Sequence, residues 1–180
     1  SALHGIRETE EGIVIGACTT LDEIEHSALI REKAFSVWQA ASETGGPQIR
    51  NRATIAGNIA GGSPASDLAA PLLALGAVLR IHGPEGSREL PIRELFIHVF
   101  KTSLLPGEFI SELLIPRNEG VISRFVKVGK RNALAVSCIN MAVARTSAGV
   151  WAVAVGSAAP TPRLCSKTMA VLNEGPLEED

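Results

Sequence analysis

The chain has 180 residues, 46% of them hydrophobic and 20% charged, with a formal net charge of -2. This is enough apolar material for one sizeable core, or one core and a small second domain, and the near-neutral balance removes any electrostatic case for a nucleic-acid or anionic-membrane partner. No apolar run approaches the ~20 residues that span a bilayer, and the N-terminus lacks the basic and apolar regions of a signal peptide, so a cytoplasmic location is expected.

Taken in chain order, residues 12–17 alternate and are rich in β-branched side chains, which predicts a strand. Thr20 with Glu23 three positions on has the spacing of a capping box ahead of a short helix. Residues 30–44 predict one longer helix with Ala34, Val37, Trp38 and Ala41 on a single stripe, ended by Gly45-Gly46-Pro47. Trp38 on that stripe reads as core. Ser63 and Pro64 predict the N-cap and first residue of a helix whose buried face is Leu68, Leu72, Leu73 and Leu75. Residues 77–82 and 87–91, around Gly83-Pro84-Glu85-Gly86, predict a hairpin. A strand is expected over 109–116, a linker at Arg117-Asn118-Glu119-Gly120, and three further strands over 121–130, 135–145 and 150–156, followed by a terminal helix.

The most informative stretch is QIRNRATIAGNIAGGSPASDLAAPLLAL, from Gln48 to Leu75. In its first part Gly57, Gly61, Gly62 and the alanines at 53, 56, 60 and 65 leave the backbone almost bare, so N–H groups can reach a ligand directly. A carboxylate at Asp67 repels a phosphate but accepts a hydroxyl. The expected division of labour is therefore a phosphate on the backbone of Thr54, Ile55, Ala56, Gly57 and Asn58 and a ribose hydroxyl on Asp67, which describes a nucleotide and most economically a dinucleotide. Spacing alone leaves a second reading open, in which Ser63, Ser66 and Asp67 cap and charge a helix start while the glycines let two backbones pack closely. Arg50 and Arg52 beside this stretch are equally open between phosphate contact and solvation. Cys18, Cys138 and Cys165 match no zinc or iron–sulfur spacing, and no metal is assigned.

The stretch resembles the second flavin-binding segment of the FAD-binding subunit or domain of the molybdenum hydroxylases, the family of xanthine dehydrogenase and the carbon monoxide dehydrogenase medium subunit. The residues that carry the resemblance are Ile49-Arg50-Asn51, Thr54-Ile55-Ala56-Gly57-Asn58, Ser63-Pro64-Ala65-Ser66-Asp67 and Pro71-Leu72-Leu73-Ala74-Leu75. Only Ala56 departs, replacing a glycine, which questions a positive φ or the closest backbone approach there. Flanking matches are Ile15-Gly16-Ala17 with Thr19-Thr20-Leu21, then Pro106-Gly107-Glu108, Ile115-Pro116, Lys127-Val128-Gly129-Lys130-Arg131 and Ala159-Pro160-Thr161-Pro162.

The resemblance implies an α+β fold: the second subdomain of a PCMH-type FAD-binding domain over 1–116, then part of a small antiparallel sheet-plus-helix domain over 117–180. It implies FAD as cofactor, held by Thr54, Ile55, Ala56, Gly57, Asn58, Ser63 and Asp67, with Ile110 against the flavin and Lys127 or Lys130 beside the ring. It further implies electrons arriving from iron–sulfur clusters and leaving to NAD or another acceptor, with a molybdenum-cofactor subunit and a 2Fe-2S subunit as partners and no catalytic residue on this chain. The family grips FAD with two loops, and the glycine-rich first loop has no counterpart before Gly16. The expectation is thus a half-built flavin site, with weak or no FAD binding and no activity for these residues alone. A cofactor-free scaffold subunit and a stand-alone FAD-dependent oxidoreductase are the alternatives.

Overall fold

The computed structural model describes residues 3–131 and 135–175. Ser1 and Ala2 of the opening stretch, and the last five positions of the expected second domain, lie outside the described residues.

Two antiparallel sheets form where the sequence alternates. The first begins with β1 (Ile6–Glu8) and β2 (Gly12–Gly16). A helical segment follows: α1 (Leu21–Glu25), α2 (Ala28–Lys33), α3 (Phe35–Glu43), α4 (Pro47–Arg50), α5 (Ile55–Ala60) and α6 (Ala69–Ala74). The chain returns through β3 (Val78–Gly83) and β4 (Gly86–Pro91), a short hairpin of β5 (Phe96–His98) and β6 (Lys101–Thr102), and the long strand β7 (Phe109–Pro116). The second sheet is built from β8 (Ile122–Gly129), β9 (Ser137–Arg145), β10 (Trp151–Gly156) and β11 (Arg163–Leu164), and α7 (Ser166–Glu174) follows it. Strand orders are β1-β2-β7-β3-β4 and β11-β10-β9-β8. This is the α+β architecture that the sequence predicts.

Local chemistry explains most of the element boundaries. Thr20 and Glu23 form the reciprocal capping box expected ahead of α1. Gly12 sits at φ +143°, and a Cβ there would lie 2.1 Å from the Ile115 carbonyl oxygen, so the β2–β7 pairing requires a residue without a side chain. A register shift between Arg80 and Ile81 inserts Ser111 as an extra residue in β7. Its consequence is that Ile110 joins Leu113 and Ile115 in the core, although simple alternation from Leu113 would point it to the opposite face.

Two expectations need correction. The single helix over 30–44 is two helices, because Ala34 leaves the helical region at φ -141°, ψ 53°. The break lets Phe35 stack on Trp38 at 5.2 Å, while the Trp38 indole N–H donates to the Glu25 carbonyl at 2.6 Å. The helix expected from Ser63 and Pro64 starts at Ala69 instead. The Ser63 hydroxyl accepts from Ala65 N–H at 3.3 Å rather than capping a helix, and Pro71 takes a place in the first helical turn, where a missing N–H leaves no bond unmade.

One apolar cluster joins both sheets to the helices. Ile13, Ile15 and Leu79 of the first sheet share it with Leu72 of α6 and with Phe125 and Ala142 of the second sheet. All of α6 is buried. Backbone N–H groups bridge the halves as well: Ser36 N–H donates to Ser123 Oγ at 3.1 Å, and Phe125 N–H to Gln39 Oε1 at 3.0 Å. Among the described residues no helix is long and apolar enough to cross a membrane.

Candidate functional site

The small-residue stretch is pinned at its start by an isolated bridge between Thr20 and Thr54, with Leu21 N–H donating to the Ala53 carbonyl at 2.9 Å and Ile55 N–H to the Thr19 carbonyl at 3.0 Å. Thr54 then caps α5. Its hydroxyl oxygen accepts Gly57 N–H at 3.1 Å, Asn58 N–H donates to the Thr54 carbonyl at 3.0 Å, and Ala56 N–H reaches the Ala17 carbonyl at 3.4 Å. The amides of Ile55, Ala56, Gly57 and Asn58 are therefore not bare, as the sequence suggests, but engaged within the chain. The reason is that a threonine ahead of a turn of small residues satisfies the first helical N–H groups itself.

Ala56 takes no positive φ, so the residue that departs from the family pattern meets no backbone strain. Gly57 is exposed on the first turn. A Cβ on it would lie 3.0 Å from Thr54 Oγ1, which is tight enough to disturb the cap. The Thr54 hydroxyl accepts in this turn, and its own proton is left to donate outward.

Two further polar groupings follow in the chain. Ser66 Oγ donates to Asn58 Oδ1 at 2.6 Å, and the next residue, Asp67, lies at the centre of a buried cluster. Lys127 Nζ donates to Asp67 Oδ2 at 2.6 Å, Ser137 Oγ to Oδ1 at 2.5 Å and Asn140 Nδ2 to Oδ1 at 3.3 Å, with Thr44 Oγ1 at 3.4 Å on the other side. Asp67 is thus not the open carboxylate expected for a ribose hydroxyl. A buried carboxylate is stable when its lone pairs are filled by donors, and the second sheet supplies three of them. The Lys127 ammonium also donates to the Glu43 carbonyl at 3.1 Å.

A cleft of about 760 Å³ opens at Lys127, with Glu43, Gly46, Arg50, Gly129 and Arg131 among its lining residues. Burial pushes the Glu43 carboxyl above the ordinary glutamate range, Lys127 opposes the shift, and Asp67 adds to it. Asn140 carries a buried side-chain oxygen with no partner, and Gly156 packs against it so closely that a Cβ would fall 2.4 Å away.

The structure therefore groups Thr54, Gly57 and Asn58, with Ser66, around α5, and Asp67 with Lys127 in a second, buried cluster. Ser63 flanks the first group on the turn after α5, and Ile55 and Ala56 lie beneath it, buried. Ile110 is 4% exposed and belongs to the core. Lys130 is exposed, and Arg50 is held by Glu25 at 2.7 Å and by the Gly45 carbonyl at 3.1 Å. Sequence reasoning missed Thr44, Ser137 and Asn140. Only Asn140 left a signal, as a polar residue in phase with Ala142 and Ala144 on the buried face of β9.

The exposed capped turn, the Thr54 hydroxyl proton and the Lys127 ammonium at the cleft are donors of the kind that a phosphate-bearing ligand needs. Comparison with known proteins points the same way. Residues 1–118 match the family described as FAD binding domain in molybdopterin dehydrogenase. The chain is 35% identical to the xanthine dehydrogenase FAD-binding subunit of Escherichia coli O157:H7, over 97% of this chain and 62% of that protein. It is 37% identical to the nicotinate dehydrogenase FAD-subunit of Eubacterium barkeri, over 83% of this chain and 53% of that one. Its fold superposes on reconstituted CO dehydrogenase from Oligotropha carboxidovorans with a TM-score of 0.90 at 29% identity, covering 96% of this chain and 62% of the other. The chain thus spans between about half and two thirds of the length of these relatives.

Proposed function

Because the chain belongs to the family of FAD binding domains in molybdopterin dehydrogenases, we propose that it carries FAD as the electron-transfer component of a molybdenum hydroxylase. The observation that carries this reading is the exposed Thr54-capped turn of small residues, followed in the chain by the Asp67–Lys127 pair beside a cleft. FAD, when bound, supplies a centre that takes electrons singly and gives them up in pairs.

The residues of the turn and the pair divide the binding work. Thr54, Gly57 and Asn58 receive the pyrophosphate, with the Thr54 hydroxyl donating its free proton to it. Ser63 closes the turn beside them. Asp67 acts chiefly by fixing Lys127, whose positive charge favours a negatively charged ring, and Ile110 supports the ring from the core. On this reading electrons arrive from a 2Fe-2S partner and leave to NAD or another acceptor, while a molybdenum-cofactor subunit handles the oxidised substrate.

The internal engagement of the 55–58 amides and of Asp67 favours the alternative of a cofactor-free scaffold. Flavin content decides between them. The product of the full gene is expected to purify yellow, with about one FAD released per chain on denaturation. Thr54→Val removes one charge-assisted hydrogen bond, about 1.5–3 kcal/mol, and should weaken FAD binding roughly ten- to a hundredfold with an unchanged circular-dichroism spectrum. A colourless full-length protein that refuses added FAD overturns the proposal.

A further inference from the structure

Asn140 is 1% exposed and stands on the face of β9 that also buries Ala142 and Ala144. A primary amide in that setting costs free energy unless both of its ends are hydrogen-bonded, and here only one end is. Nδ2 donates to Asp67 Oδ1 at 3.3 Å, while Oδ1 of the amide is buried without a partner among the described residues. Turned the other way, the amide would set its oxygen against the carboxylate. The arrangement gives up one hydrogen bond to keep the other.

Gly156 enforces this placement. It lies directly across from Asn140 in the β9–β10 ladder, and a Cβ on it would meet Oδ1 at 2.4 Å and Cγ and Nδ2 at 3.0 Å, all three of them atoms of the Asn140 side chain. Its φ lies outside the left-handed region, so glycine is required here for space and not for a turn. The backbone is held on both flanks: β11 pairs with β10 at Ala154 and Val155, and Ser157 N–H donates to the Pro64 carbonyl at 2.8 Å.

Asp67 passes the constraint on. Ser137 Oγ and Asn140 Nδ2 both donate to its Oδ1, and Lys127 Nζ donates to its Oδ2 at 2.6 Å. One donor on Oδ1 leaves the carboxylate free to pivot, and the second removes that freedom. Among the described residues, Asp67 and the Glu43 carbonyl take two of the three N–H groups of Lys127, whose side chain lines the cleft. The direction of the third N–H therefore follows from the orientation of the Asp67 carboxylate.

We propose that Asn140, held by Gly156, is a positioning residue of the flavin site: it locks the Asp67 carboxylate so that the remaining Lys127 N–H is presented to the bound ring. The inference rests on the flavin-carrying reading above.

The test is a redox titration of the flavin in the full-length protein loaded with FAD. In Asn140→Leu and in Gly156→Ala a displaced ammonium stabilises the reduced, negatively charged ring less, so the midpoint should fall. A tenfold loss of that stabilisation lowers a two-electron midpoint by about 30 mV. A double-mutant cycle separates positioning from packing: in an Asn140→Ala background, Gly156→Ala should bring no further shift, because the side chain it collides with is gone. Arg88→Leu, on the first sheet, should lower stability and leave the flavin midpoint at the parent value. Where Asn140→Leu does not fold, Gly156→Ala carries the test, since it leaves every donor to Asp67 in the chain. Where a folded variant releases FAD, the FAD dissociation constant replaces the midpoint in the same cycle. Flavin midpoints equal to the parent's in both Asn140→Leu and Gly156→Ala, with only the urea midpoint lowered, overturn the positioning role. A Gly156→Ala shift of the same size with and without the Asn140 side chain overturns it too. Absence of flavin from the parent protein instead overturns the reading it rests on.

Discussion

Asp67 gathers Lys127, Ser137 and Asn140 of the second sheet onto one carboxylate, and the Asp67 and Lys127 side chains are 7% and 9% exposed. Removing one member leaves the other charged and buried. Asp67→Ala is therefore expected to cost about 3–5 kcal/mol of stability, read as a lower urea midpoint. The double variant Asp67→Ala, Lys127→Met should lose less than the sum of the two single changes, because the ammonium no longer lacks a partner. Additive losses would show that the pair is not coupled. Asp67 was legible in the sequence as a singular carboxylate in a small-residue segment. Its donors were not, since they lie 60, 70 and 73 positions away, on the second sheet.

At the scale of elements, the β3–β4 hairpin is tied to the start of β7 by Arg88, whose Nε and Nη2 donate to Glu108 at 2.7 and 2.8 Å. Glu108 also accepts from Leu105 N–H, and the two interactions, the arginine first, lower its carboxyl from near 4.5 to about 2. A depressed carboxyl contributes stability that is fully present above the unfolded value and disappears as pH falls through the folded one. Arg88→Leu should thus be less stable than the parent above about pH 4.5, with the difference shrinking toward about pH 2. Urea midpoints at about pH 6 and about pH 3 measure this, and a difference that stays constant between them would remove Glu108 as its source. Both strands and the turn between them were readable from local pattern. The bulge at Ser111 was not, because nothing in the 109–116 stretch alone states how β3 is registered against it.

For the whole molecule, the decisive arrangement is the buried α6, which contributes to the same apolar cluster as both sheets. The halves should therefore unfold together. Trp38 in the helical layer and Trp151 in β10 report on the two halves separately, so in Trp38→Phe and Trp151→Phe variants the remaining fluorescence transition should coincide with loss of far-UV circular dichroism. Distinct midpoints would show two independently folding units. The sequence by itself determined the seven longer strands, the capping box, the β3–β4 hairpin and the family of the 48–75 stretch, because periodicity, cap chemistry and motif order are all local properties of the chain. Only the tertiary structure decided that α6 starts at Ala69, that Ile110 turns inward, that the 55–58 amides already have partners and that Asp67 faces the second sheet. Each of these depends on contacts between residues far apart along the chain, where burial outweighs local preference.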